Sequence, residues 1–478
     1  MDAPVCQGCR ERDAHIAKLE ARLAELEARV EEQAKLILDL ARKLQDKDLP
    51  KGAAPTEQPQ SGKSLGKSNE QIKKRKPGGQ PGHPPHLKQL LPPERVTETV
   101  PLIPTQCQHC QKPLPSQPGS HDPDPTRFQV AELPELKAKI TEYQGHARTC
   151  PCCGGVTRAA IPEEIRAHSI GPGLAALMSY LVGSCGLSKR RVEEVVESVF
   201  EVPLALGTVA KLEQEMSAAL EPAHQEALTA VQQAPVKHVD ETGWKKAGHK
   251  RWLWVVATTT VVVFLIHRLR NAAVVMLLLG KTLQGILCTD RWRAYDCMPL
   301  LQRQVCWAHL KRNFEKLLER GGKASIIGEA CLSIKDKVFE TWHLYRGGGA
   351  TWAEMDERMA ILSLELLAVL QVGNRSRDRK LARFCARVLD VYPALWTFVV
   401  DKGVEPTNNH AERVQRLAVL WRKNCFGCHS DSGCRFAERL LTVVQTLRLQ
   451  KRAVFQYLKA ALVAHRNGAS TPKLVPEG

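Results

Sequence analysis

Three carboxylates stand where local pattern would expose them. Asp240 comes near the end of "VKHVDETGW" (236–244), a stretch that alternates like a strand, and Asp290 follows the short apolar run 286–288 in "GILCTDRWRAYD". Glu412 lies in "PTNNHAERVQRL" (406–417), where "TNN" offers helix N-caps and puts the glutamate early in an arginine-studded helix. The pattern therefore predicts two aspartates at strand ends and one helical glutamate. Hard oxygen ligands in this number bind Mg²⁺ or Mn²⁺, which activate a hydroxyl and stabilise a leaving oxygen in phosphodiester displacement. Spacing alone does not select this set, because a chain with 51 acidic residues holds many, and carboxylates serve equally well as caps or surface ion pairs.

The elements around the three acids follow from the same patterns. "RWLWVVATTT" and "VVVFLIH" read as a pair of strands after Asp240, "NAAVVMLLLGK" as a helix, and "RQVCWAHLKRNFEKLL" as a strand running into a helix. Cys306 and His309 in that last stretch form a lone C-x-x-H, which reads as a buried cysteine and a histidine on a helix face, since two more metal ligands are not apparent. Residues 320–400 show only helical patterning and predict a helical insertion into the catalytic domain.

Composition bounds the class. At 478 residues and 43% apolar the chain can bury several cores, and 68 Lys and Arg against 51 Asp and Glu favour a polyanionic partner, nucleic acid before membrane. The start turns charged at once, unlike a secretory signal. The longest apolar run, residues 253–266, is shorter than the roughly 20 residues needed to span a bilayer. A cytoplasmic or nucleoid-bound protein is expected, with no membrane contact. The sixteen cysteines are then better read as metal ligands or buried small hydrophobes than as disulfides.

Upstream, Ile16, Leu19, Leu23, Leu26, Val30, Ile37, Leu40 and Leu44 alternate three and four apart, interrupted only by Gln33. That is a coiled-coil seam and predicts self-association as a homodimer or higher oligomer. Cys6 and Cys9 before it make only half a metal site. A Pro-, Gly- and Lys-rich linker follows, and its run Lys73, Lys74, Arg75, Lys76 serves either as a phosphate grip or as a solubilising tether. Cys107-x-x-Cys110 and Cys150-x-x-Cys153 then supply four thiolates suited to a tetrahedral structural Zn²⁺, with Cys152 a spare thiol or an alternative ligand. The helical stretches "SKRRVEEVVESVF" and the one starting at Thr208 fit a helix-turn-helix as well as a plain bundle. Between Arg413 and Arg452, basic residues face only Asp431 and Glu438. Arg413, Arg416, Arg422, Lys423 and Arg435 are therefore the expected DNA contacts.

The expected architecture is multidomain. A coiled coil (1–48) and a basic linker (49–104) precede a zinc-binding module (105–165) and a helical DNA-binding region (166–234). The α/β catalytic core (235–319 and 401–430) is a mixed sheet flanked by helices, interrupted by the all-α insertion, and a basic helical segment (431–478) ends the chain.

Several words in the sequence resemble those of one family, the IS-sixty-six transposases (TnpC type) of bacterial insertion sequences. They are "RKPGGQPGH", the two C-x-x-C knuckles, "HVDETGWKKAGHKRWLWV", "CTDRWRAYD", "CWAHLKRNF", "PTNNHAERVQRLAVLWRKNCFG" and "SGCRFAERLLTVVQTLRLQKR", in family order over nearly the whole chain. The resemblance implies an RNase H-like core whose DDE triad is Asp240, Asp290 and Glu412, with Asp240 bridging two Mg²⁺ ions and the other two each completing one. It implies metal-dependent cleavage at the terminal inverted repeats of an element and strand transfer into target DNA, with small accessory proteins encoded beside it. A catalytically inactive DNA-binding remnant and a metal-dependent nuclease without strand transfer are the competing readings. Two departures stand out. Arg291 and Trp292 replace the family's usual "SDGYAAY" pattern beside the second aspartate, where they could alter contact with DNA. Cys425, Cys428 and Cys434 stand where relatives tend to carry Ser or Thr; alone they would read as a metal knuckle, whereas the resemblance implies small side chains near DNA. The linker keeps only "GKSN" of the family's Ser- and Pro-rich word.

Overall fold

The computed structural model describes residues 90–476 except Pro118 and His121. The expected coiled coil, Cys6 and Cys9, and Lys73, Lys74, Arg75 and Lys76 lie outside these residues. The chain divides into two units, described separately: residues 50–137, and a second containing residues 138–478.

In the first unit, residues 107–112 form a tight turn. The Cys107 amide donates to the Lys112 carbonyl (2.9 Å), the Gln111 amide donates to the Cys107 carbonyl (2.9 Å), and Gln111 takes a left-handed φ of 57°.

The second unit opens on a hairpin, β1 (Ala147–Thr149) with β2 (Val156–Arg158), and a short α1 (Glu163–Arg166). The turn within the hairpin repeats the other one position for position. Cys150 N–H donates to Gly155 O (2.8 Å), Gly154 N–H to Cys150 O (2.9 Å), and Gly154 has a φ of 71°. Four helices follow: α2 (Pro172–Gly183), α3 (Lys189–Phe200), α4 (Leu206–Ala219) and α5 (Glu221–Gln233). The second helix of the expected helix-turn-helix thus begins two residues before Thr208, at Leu206.

The sheet comes next. Its strands are β3 (Val236–Lys246), β4 (His249–Ala257) and β5 (Val262–His267), then, after α6 (Ala272–Leu279), β6 (Ile286–Thr289) and β7 (Arg303–Val305). Their order is β5-β4-β3-β6-β7, with β3, β4 and β5 antiparallel and β6 and β7 parallel to β3. Leu253 to Ala257 are all buried, so β4 is covered on both faces, as the unbroken apolar run "LWVVA" requires. The turn into β6 is made at Gly285, with a φ of +67°, where an added Cβ would stand 2.1 Å from the Pro235 carbonyl oxygen.

Beyond the sheet run α7 (Trp307–Glu319), α8 (Gly322–Arg346), α9 (Trp352–Asn374), α10 (Arg379–Leu389) and α11 (Thr397–Val400). The chain then returns through α12 (Asn409–Cys425), α13 (Asp431–Leu449) and α14 (Val454–Arg466). Two apolar cores result. One joins most of the sheet to α2–α6 and α12–α14. The other joins Cys288 and Val305, at the parallel side of the sheet, to α7–α11. Among the described residues no helix is long and apolar enough to cross a membrane.

The antiparallel edge is closed by side chains. Val262 N–H donates to Thr446 Oγ1 (3.0 Å), Phe264 N–H to Thr442 Oγ1 (3.0 Å) and Ile266 N–H to a Glu438 carboxylate oxygen (2.6 Å). Four residues of helix rise about 6 Å and two of strand about 6.6 Å, so acceptors every fourth residue on α13 keep step with donors every second residue on β5. Helix side chains thereby do the work of a sixth strand, and an unpaired edge is avoided.

Burial pushes the Glu438 carboxyl up to about 7 from an ordinary 4.5. A raised folded-state value means that its stabilising contribution is complete below about 4.5 and is lost as pH rises through about 7. Glu438→Gln, which keeps an acceptor for Ile266, is therefore expected to flatten that part of the stability profile. Urea denaturation at pH 5 and pH 8 would show wild type losing roughly 3 kcal/mol relative to the variant. Parallel profiles would remove Glu438 as the source.

Candidate active site

The parallel ladder fixes the first two carboxylates. Val236, Lys237 and His238 pair with Ile286, Leu287 and Cys288, so two residues further along the same register sets Asp240 beside Asp290. Neighbouring strands lie about 4.8 Å apart, and Asp290 follows directly on the last residue of β6, so the two acids leave the ladder close together and the charge of Asp290 is felt at Asp240. Asp240 is not at a strand end, contrary to the expectation from sequence. β3 continues to Lys246 because β4 pairs with it throughout, from His238–Ala257 to Lys246–His249. What ends at His238 is the parallel pairing with β6, and Asp240 stands just past it.

Glu412 arrives in the first turn of α12, as expected. All three acids are partly buried. Burial, followed by the charges of Glu241, Asp290 and Glu412, pushes Asp240 up to about 7. The three acids are thus brought within electrostatic reach. Among the described residues, no group of three or more His, Cys, Asp or Glu side chains is assembled as a metal cage, so these carboxylates are not closed around one point. Their chemistry fits a hard divalent cation: oxygen donors of one sign, crowded where burial penalises charge.

Asn408 organises the region. It occupies the N-cap position of α12, yet its side chain caps nothing, which corrects the role expected for "TNN". Instead its Nδ2 donates to the Val239 carbonyl (2.7 Å), its Oδ1 meets His238 Nδ1 (3.0 Å), and its backbone N–H reaches Cys306 Sγ (3.1 Å). Because Nδ2 is committed as a donor, Oδ1 must accept, and His238 carries its proton on Nδ1. Burial, then the neighbouring His410, lowers His238 to about 4, so it is neutral at pH 7. One fully buried amide thus ties together β3, the start of α7 and the helix bearing Glu412.

A second shell of charge sits behind the aspartates. Glu241 accepts from Arg270 Nε (2.8 Å) and Nη2 (2.6 Å) and from the Tyr295 hydroxyl (2.5 Å). Arg270 in turn lies over the rings of Trp252 and Trp292, at 4.6 and 4.1 Å. Both unusual residues after Asp290 are accounted for. Trp292 completes this aromatic stack, and its N–H donates to Asp290 Oδ1 (2.8 Å). Arg291 turns to Asn313 (2.8 Å) and the Phe384 ring of the helical insertion.

The C-x-x-H pair divides. Cys306 is buried, with its thiol pushed up by burial, and receives the Asn408 amide. His309 leans toward the site: Nε2 is 3.7 Å from Glu412 Oε1, while Nδ1 is enclosed with no hydrogen-bond partner among the described residues. One turn further on α7, Arg312 Nη2 donates to the same Oε1 at 2.9 Å.

Of the expected DNA contacts, Arg413, Arg416 and Lys423 are exposed on α12 and Arg435 on α13. Arg422 differs: its guanidinium donates to Thr242 Oγ1 (3.2 Å) and to the Gly243 carbonyl, fastening α12 to β3. Cys428 is packed likewise, its amide donating to Lys245 O (2.9 Å) and its carbonyl accepting from Ala247 N–H (2.8 Å), and Cys434 is buried. Cys107 and Cys110 belong to one unit and Cys150 and Cys153 to the other. Backbone N–H groups of the second cysteine and of the residue before it lower the thiols of Cys107 and Cys150.

The three acids are visible in local pattern; the role of Asn408, Glu241, Arg270, Arg312 and the α13 acceptors is not. The adjacency of Glu241 to Asp240 was the one available signal; the others depend on contacts across more than 25 residues.

Comparison with known proteins assigns a family. The family described as "Transposase IS66 family" matches residues 168–436, more than half of the 478 residues, and the chain belongs to it. An uncharacterized protein, y4qI, of Sinorhizobium fredii (strain NBRC 101917 / NGR234) is 26% identical over 437 residues, covering 83% of this chain and 76% of its own.

Asn408→Ala would strand the Val239 carbonyl and His238 Nδ1 inside the protein. The expected cost is about 2–4 kcal/mol in urea denaturation, since each buried polar group left unpaired costs roughly 1–3 kcal/mol. A loss below about 0.5 kcal/mol would mean that the amide is not structural.

Proposed function

We propose that the chain is a DNA transposase that binds the terminal inverted repeats of an insertion sequence, cuts there, and joins the freed ends to target DNA. The observation that carries this reading is that the parallel β3–β6 ladder, which ends at His238–Cys288, leads Asp240 on β3 and Asp290 just past β6 to the same place, with Glu412 near enough to raise Asp240, in a member of a transposase family. An antiparallel β5-β4-β3 unit extended by two parallel strands also supports an RNase H-like core.

Asp240, Asp290 and Glu412 would hold Mg²⁺ or Mn²⁺, which when bound activates the attacking oxygen and offsets charge on the leaving one. The remainder is the protein's task. In cleavage, a water oxygen bonds to phosphorus and the bond to the 3′ oxygen breaks, leaving a 3′-hydroxyl and a 5′-phosphate. In transfer, that 3′ oxygen attacks a target phosphorus and displaces the target's own 3′ oxygen. Phosphodiester replaces phosphodiester, so no covalent protein intermediate is needed. Arg413, Arg416, Lys423 and Arg435 would grip backbone phosphates beside the acids, and Lys73, Lys74, Arg75 and Lys76 would add a second grip. Self-association through residues 16–44 would bring two ends together, and small accessory proteins would complete the assembly.

The test is a marked plasmid carrying the DNA that flanks the gene, together with its small neighbouring reading frames, expressed beside the chain. Insertions are expected from wild type, with at least a thousandfold fewer from Asp240→Ala or Asp290→Ala. Equal counts from variants and wild type would remove the carboxylates from the mechanism.

The two Cys-x-x-Cys turns, alike in their backbone hydrogen bonds, support a structural role for Zn²⁺ held by Cys107, Cys110, Cys150 and Cys153, with backbone N–H groups favouring the thiolates of Cys107 and Cys150. Elemental analysis of purified protein is expected to find one zinc per chain, lost in Cys107→Ser and in Cys150→Ser. Undiminished zinc in either variant would place the metal elsewhere.

A further inference from the structure

Among the described residues, Glu412 is the one of the three acids whose carboxylate accepts a hydrogen bond from a cationic side chain. Arg312 Nη2 donates to Oε1 at 2.9 Å, and His309 Nε2 approaches the same oxygen at 3.7 Å. His309 and Arg312 stand three apart on α7, so one face of this helix presents both to the acid. The oxygen they share is one that a bound cation would need. Arg312 therefore balances Glu412's charge in the resting chain and competes for it.

The contact is built to exchange. The Arg312 side chain is 54% exposed and Glu412 is 40% exposed, whereas the Arg270–Glu241 pair behind the site leaves its carboxylate 2% exposed. An ion pair open to water is weak, because both partners are solvated almost as well apart. A guanidinium released from Glu412 stays tethered to α7 within reach of the acids. Its planar fork suits two non-bridging phosphate oxygens, a geometry that the ammonium of lysine does not offer. DNA entering a cluster of carboxylates also needs positive charge at the reacting phosphate, and the four outward basic residues on α12 and α13 are not the groups paired with Glu412.

We propose that Arg312 serves two partners in turn: Glu412 in the resting protein, and the reacting phosphate of bound DNA during cleavage and transfer. It is then a catalytic residue in the strict sense of touching substrate, and its contact with Glu412 is a resting latch. The proposal rests on the transposase reading above and adds a group that the three-acid description lacks.

The experiment uses the full chain with Arg312→Ala and Arg312→Lys, and has two arms. In the first, Mn²⁺ affinity is measured by titration calorimetry. Removing a weak competitor is expected to tighten binding by up to about fivefold in Arg312→Ala, and to do nothing in a Glu412→Gln background. In the second, the plasmid assay is repeated. Arg312→Ala is expected to lower insertions at least about a hundredfold, as for other lost charge-stabilising donors, and Arg312→Lys to recover only part of that. Opposite movement of the two readouts is the signature. Weaker Mn²⁺ binding together with lower activity would make Arg312 a clamp that positions Glu412, and would overturn the proposal. Undiminished insertion would do the same. If wild type gives no insertions while the Asp290→Ala control matches it, the transposase reading fails. The Mn²⁺ arm still decides the latch in that case, and unchanged affinity in Arg312→Ala overturns it.

Discussion

Everything at the site depends on the register between β3 and β6. Carboxylates repel one another, and burial raises the cost of each charge, so three acids do not gather unless the backbone forces them to. The pairing of His238 with Cys288 does this for two of them. A slip of one residue would turn Asp290 to the opposite face, and the apolar residues that alternate with it would follow. The buried Leu287, Cys288 and Val305 therefore hold the aspartates together as firmly as any polar contact, because the register that buries them is the register that aligns the acids.

The third acid is added by a different device. α12 is not a strand of the sheet, so its start is located by separate contacts: the Trp307 amide donates to the Pro406 carbonyl (3.0 Å), and Asn408 adds the rest. Asn408 reaches Val239, one residue before Asp240, and also holds Cys306, just before the helix that carries His309 and Arg312. Fourteen residues along α12 from Asn408, Arg422 grips β3 again at Thr242 and Gly243. A helix fixed at both ends to one strand cannot tilt away from it, so Glu412 is held while its side chain stays 40% exposed. That combination suits the role proposed for Glu412, which needs it open to solvent.

Much of this was legible in the sequence, and the remainder was not for definable reasons. Strands, helices and the position of Glu412 follow local periodicity, which is a property of neighbouring residues. Asp240 reads as a strand end because the alternating stretch "VKHVDETGW" runs into carboxylates. The strand persists because β4 satisfies its backbone whatever its side chains are, and sheet pairing overrides local pattern. Asn408 looked like a cap because asparagine before a helix usually caps, but a buried acceptor at Val239 and the His238 ring outcompete the helix's own N–H groups for its amide. Arg422 could not be told from Arg413 and Arg416 by composition. Only the position of β3 separates an arginine that builds the scaffold from those that face outward.

The same reasoning explains why the basic surface is concentrated where it is. α12 spends its buried face on the sheet core through Ala411, Val414, Ala418 and Trp421, which leaves Arg413, Arg416 and Lys423 no place but solvent. α13 buries nearly its whole length and completes the β5 edge, leaving Arg435 exposed near its start. The outward charge is therefore a consequence of how the two helices pack, and on α12 it runs from Arg413, next to Glu412, to Lys423 in the last turn. On the proposed reading, the basic residues and the helical acid share a single structural origin: the face of α12 that the sheet does not cover.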